Sequence, residues 1–104
     1  MQTVIQVLSE GSTSLRDRIV RHRKLGEAGL YVVAHKKVGR SHGWAKLKMD
    51  GSHGALNVEW HAASRTLICR VVTRGGDPDK LSSAFVGFLL KRMSRQIRSI
   101  VILP

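Results

Sequence analysis

From Asp77 to Arg98 the apolar residues recur with the period of a helix. Leu81, Ala84, Phe85, Phe88 and Leu89 stand at offsets of 0, 3, 4, 7 and 8, which is one face of a 3.6-residue repeat. Val86, Leu90, Met93 and Ile97 widen that arc past a half-turn, which predicts burial around most of the helix. Asp77-Pro78-Asp79 supplies a capping residue, a proline at the first helical position and an acid in the first turn. Lys91, Arg92, Arg95 and Arg98 put cations at the end where the helix dipole is negative. A helix with so wide an apolar arc has to be covered, and the remainder of the chain shows what covers it.

That remainder is mostly strand. Thr3 to Leu8 is rich in β-branched residues. Ser14 with Asp17 approximates a capping box and opens a helix from about Leu15 to Leu25. Its apolar line, Leu15 and Ile19 with His22, is too narrow to hold it firmly, so this helix is expected to need a partner for order. Leu30 to His35 and Trp44 to Met49 alternate as strands, with Ala45, Leu47 and Met49 on the core face and Trp44, Lys46 and Lys48 opposite. Ala55 to His61 and Thr66 to Arg74 form a hairpin. Its expected pairs are Leu56 with Val71, Val58 with Cys69 and Trp60 with Leu67, leaving Glu59 diagonal to Arg70 on the other face. Ser99 to Leu103 does not alternate, which suggests a final strand buried on both faces or paired deep in the sheet.

The order is strand, helix, four strands, helix, strand. It predicts one α+β domain over residues 1–104, a two-layer sandwich with the long C-terminal helix across one face of a mostly antiparallel sheet. A chain of this length hides roughly 65% of its extended surface on folding, enough for one core. The terminal strands are free to pair with each other or with a second subunit.

Charge narrows the partner. Eighteen Lys and Arg against seven Asp and Glu give a net +11. Self-repulsion of that size points to a polyanion: nucleic acid first, otherwise an acidic protein or an anionic membrane surface. No run approaches the ~20 apolar residues of a membrane span, and the opening MQTVIQVLSEG has no basic region of the signal-peptide kind. The single Cys69 excludes an internal disulfide, and a reducing cytoplasm is the expected compartment.

The cations concentrate between Arg16 and Lys48, where ten stand against two acids, Asp17 and Glu27. Arg16, Arg18, Arg21, Arg23 and Lys24 lie on the first helix. Lys36, Lys37, Arg40 and His42 lie in the loop KKVGRSHG, whose glycines let backbone N–H groups approach a phosphate. Trp44, Lys46 and Lys48 share one strand face, the combination that tracks a backbone and stacks a base. The expected function is therefore non-enzymatic binding of RNA or single-stranded DNA, with these cations on phosphates and Trp44, then Tyr31, stacking. The alternative is a protein-interaction module, homodimeric through sheet edges or helix faces, that docks an acidic partner.

Other chemistries find less support. His35, His42, His53, His61 and Cys69 match no compact metal-ligand spacing, so neither metal nor cofactor is expected. Cys69 faces the predicted core, where a thiol is inert. A histidine nuclease using His42 with Lys46 is the catalytic alternative. On the long helix, Lys80, Lys91, Ser94 and Arg98 form a polar stripe. Arg92 falls within the apolar arc and is expected to snorkel or to pair with Asp50 or Glu59.

Overall fold

The central hairpin forms with the expected register. In a computed structural model, which describes residues 2–75 and 78–103, β4 (Ala55–His61) pairs with β5 (Thr66–Val72) so that Leu56 faces Val71, Val58 faces Cys69 and Trp60 faces Leu67. Five of these six side chains are fully buried, and Trp60 packs against them partly exposed. A period of two, read against a short connection, fixes which residues share a face.

Around the hairpin stand β1 (Gln2–Ser9), α1 (Leu15–Val20), β2 (Leu30–Ala34), β3 (Trp44–Met49), α2 (Pro78–Arg92) and β6 (Ile97–Leu103). Short 3-10 turns occupy Leu25–Ala28 and Ser94–Gln96. The class is α+β, with one six-stranded antiparallel sheet and one long helix. The order within the sheet, β2-β3-β4-β5-β1-β6, is not the chain order. β1 is inserted between β5 and β6 and runs antiparallel to both. β5 and β6, on either side of β1, therefore run in the same direction, and α2 carries the chain across from one to the other. Of the two pairings open to the terminal strands, the chain uses the internal one.

One cluster of buried side chains joins the layers. Ile5, Val7, Leu47, Leu56, Leu67 and Val71 from the sheet meet Leu81, Phe85, Phe88 and Leu89 from α2, together with Leu15 and Ile19 from α1. Both helices thus lie on the same sheet face. Each fully buried Leu, Ile or Phe contributes about 1.5–3 kcal/mol of transfer free energy.

Three expectations about these elements are corrected. α2 stops at Arg92, not Arg98. Met93 N still donates to Leu89 O at 2.8 Å, but Ile97 is already extended (φ −110°, ψ 129°). The β-branched run Ile97, Ile100, Val101 and Ile102 gains more by pairing with β1 than by continuing a helix. Leu90 is 58% exposed, so the buried arc is narrower than the sequence pattern. β6 is an edge strand rather than an interior one, with Val101, Ile102 and Leu103 all close to half exposed. Asp77, the expected capping residue, lies outside the described residues.

Candidate nucleic-acid interface

α1 begins as expected. Asp17 N donates to Ser14 Oγ at 3.2 Å, and Leu15 and Ile19 are fully buried. The helix ends at Val20, five residues earlier than predicted, because no third apolar residue follows on its face. The chain then turns back. His22 N donates to Ile19 O at 3.2 Å, and the His22 ring sits edge-on to Phe88 with centroids 5.1 Å apart. Leu25 is buried, and Gly29 closes the 3-10 turn in the left-handed conformation (φ 79°).

These contacts dock the cationic turn on the C-terminal half of α2. Arg92 Nη2 donates to Glu27 Oε2 at 2.6 Å, and Lys24 Nζ donates to Glu27 Oε1 at 3.1 Å. Arg92 thus finds an acid, though neither of the two expected. Glu27 is held below its ordinary value by the Lys24 hydrogen bond and charge, with a further contribution from Arg92.

The result is a cleft of about 340 Å³ lined by Arg18, Arg21, His22, Arg23, Lys24, Arg92, Met93 and Gln96. Among the described residues, no carboxylate lines it. Four residues singled out in the sequence converge here: Arg18, Arg21, Arg23 and Lys24. Arg92 and His22 join them from positions that sequence reasoning assigned elsewhere. The signal for Arg92 was its place in an apolar arc. It marked a side chain with something to reach, but not what. Among the described residues, Arg18, Arg21 and Arg23 make no ion pair.

A second cationic group lies in the loop 36–43. Lys36, Lys37, Arg40, Ser41 and His42 are exposed around a concavity of about 360 Å³. Gly39 turns there with φ 85°. Ser41 Oγ donates to Glu59 Oε2 at 2.7 Å, and His61 Nε2 lies 3.4 Å from Glu59 Oε1. Glu59 therefore spends its carboxylate on these neighbours, and its diagonal attraction to Arg70 is not realised as an ion pair.

Two residues leave the predicted binding set. Arg16 is only 9% exposed. Its guanidinium donates to Trp44 O at 3.1 Å and 3.0 Å, to His35 O, and to Asp17 Oδ1 at 2.8 Å. Four of its five N–H donors are used inside the protein, so it is a positioning residue rather than a phosphate contact. Trp44 is 3% exposed, and Arg40 lies over its ring at 5.7 Å. It does point away from the helices, as alternation requires, since it pairs with Glu59. An indole so covered offers no face to a base.

Lys46 and Lys48 are half-buried on the sheet face opposite the helices. Lys46 aligns across five strands with Asn57, Arg70, Val4 and Leu103, and Lys48 pairs with Tyr31, which is 44% exposed. The predicted cations therefore occupy separate places: the cleft on the helical side, the loop, and the open sheet face. They do not form one surface centred on Trp44.

Among the described residues, no three His, Cys, Asp or Glu side chains converge on a metal-sized site, and no helix is long and apolar enough to cross a membrane. The chain matches no protein family, and no characterised protein or solved structure is significantly similar to it.

Proposed function

We propose that this protein binds RNA or single-stranded DNA without transforming it, holding phosphates in the cleft between the cationic turn and the end of α2. One observation carries the reading: Arg18, Arg21, Arg23 and Arg92, with Lys24 and His22, line a single cleft that no carboxylate lines among the described residues, Glu27 meeting only Lys24 and Arg92 from outside it. Packed cations with a low-dielectric wall behind them focus a field that attracts phosphate. The loop cations Lys36, Lys37 and Arg40 and the exposed Tyr31 stand apart from this cleft, and the reading does not depend on them. A duplex-reading mode is disfavoured because α1 has only six residues and α2 is packed into the core. The lone Cys69 suits a reducing cytoplasm.

Fluorescence anisotropy with a short RNA and its DNA counterpart at 50 and 200 mM salt tests this (~50 and ~200 mM being the interval over which phosphate contacts show their salt dependence). Affinity should fall steeply with salt, and Arg21→Ala with Arg23→Ala should reduce both the affinity and the salt slope. Absence of binding at the lower salt would overturn the reading.

The sheet edge favours a second reading, a homodimer through sheet edges. β6 presents Val101, Ile102 and Leu103 on an unpaired edge. Exposed apolar edges of this kind recruit another strand. Sedimentation over a wide concentration range reports it directly.

A further inference from the structure

Beside the basic cleft, between α2 and the 3-10 turn Leu25–Ala28, lies an apolar slot of about 290 Å³. Its walls include Ala28, Ala84, Gly87 and Phe88, and it shares Lys24 and Arg92 with the cleft. Glu27 stands at its margin, held by those same two cations. Gly87 is the informative residue. A glycine inside a helix costs about 1 kcal/mol relative to alanine. It is not among the positive-φ glycines, and a Cβ there would meet nothing within 4 Å. Neither backbone conformation nor packing explains the missing side chain. Its effect is to leave the slot open.

We propose that the slot takes one unpaired base of the bound strand while the adjoining cleft takes that nucleotide's phosphate. This rests on the nucleic-acid reading of the cleft and gives it a ligand unit. The size fits, since the slot lies near the lower end of the ~300–1,000 Å³ range of small-ligand sites. The polarity fits too: Ala28, Ala84 and Gly87, with the buried Phe88 behind them, wall the slot, while Lys91 and the shared Lys24 and Arg92 rim it toward the cationic cleft. A flat ring with a phosphate one sugar away is the ligand whose two halves match slot and cleft.

The test compares adenosine monophosphate, ribose 5-phosphate and a short single-stranded RNA by titration against the wild type and Gly87→Leu. Leucine favours a helix and fills the slot. Ser83→Leu, from an exposed position on the same rim, serves as a second plug should Gly87→Leu fail to fold. The nucleotide should bind the wild type about tenfold more tightly than the sugar phosphate, a margin of about 1.4 kcal/mol. Either plug should erase that margin and leave ribose 5-phosphate unchanged. Equal affinities in the wild type, or a margin that survives both plugs, would overturn the slot. If the RNA binds with steep salt dependence and no such margin exists, the slot fails alone. If the RNA does not bind either, the cleft reading fails with it.

Discussion

The Arg16 guanidinium bridges the carbonyl oxygens of His35 and Trp44, the residues on either side of the loop 36–43. A single buried side chain from α1 thus closes the loop at both ends, and its own charge is met by Asp17. Arg16→Ala would leave two carbonyls without their charged donor and an empty volume under the loop. Hydrogen bonds of this charge-assisted kind are worth about 1.5–3 kcal/mol each. We expect a loss of about 2–4 kcal/mol in urea unfolding, combining lost bonds with partial relaxation. Amide exchange should also accelerate from Lys36 to Gly43. Arg16→Lys should recover only part, because an ammonium cannot reach both ends with a planar fork.

How far the sequence carried follows from which interactions are local. The register of β4 on β5 was legible because a two-residue period and a short connection leave little choice: Val58 had to meet Cys69. The face of Trp44 was legible for the same reason. Its burial was not, because what covers it comes from a loop with no periodicity. Leu15 and Ile19 announced α1 but could not say where it ended, since the stop reflects the absence of a third anchor. The edge position of β6 was invisible. Nothing in Ile97–Leu103 encodes that β1 would separate it from β5. The cleft was half legible: four of its cations are adjacent in sequence, whereas Arg92 arrives through tertiary packing.

Glu27 gives a pH signature. Its carboxyl is held below the ordinary value of 4.5 in the folded state, first by Lys24 and then by Arg92. A group with a depressed folded value stabilises the fold above its unfolded value, and that contribution disappears as pH falls through the folded one. The urea midpoint should therefore hold steady from neutrality down to about the ordinary glutamate value and decline below it. Glu27→Gln should flatten its share of that decline. The substitution also releases Lys24 and Arg92 toward the cleft, so affinity for single-stranded RNA at low salt should rise several-fold, with a steeper salt slope. Anisotropy and urea melts on the same variant check both effects.

Cys69 is fully buried opposite Val58, and burial pushes its thiol far up. The thiolate is the reactive form. A thiol reagent at neutral pH should leave the native protein unmodified, and labelling across a urea series should follow the global unfolding curve. Labelling of Cys69 well below that midpoint would show that β5 opens separately from the sheet.

Gly43 is constrained by contact rather than by conformation. A Cβ there would fall 2.5 Å from Trp60 O and 3.1 Å from Trp60 N, both backbone atoms that cannot swing aside. Trp60 N donates to Gly43 O at 2.9 Å, so the strands are already at closest approach. Gly43→Ala should destabilise by about 1–3 kcal/mol, the usual cost of overpacking. Gly26→Ala, where a Cβ meets nothing within 4 Å, should change little. Thermal melts of the pair separate steric exclusion from generic loss of a glycine.

The edge of the sheet supplies the last prediction. Val101 pairs with Gln6 on the open face and is 46% exposed, with no strand among the described residues on its far side. If two copies join through β6, a lysine at this position brings a charge into the new strand pair and blocks it, as edge lysines do in natural sheets. Val101→Lys should then abolish concentration-dependent sedimentation. Stability of the monomer should shift by no more than about 0.5 kcal/mol, the usual range for a surface position. The cleft lies on the helical side, remote from this face, so RNA affinity per chain should be unchanged. A wild type that stays monomeric at high concentration, and a Val101→Lys variant indistinguishable from it, would remove the dimer reading and leave the cleft as the surface that accounts for the charge of the chain.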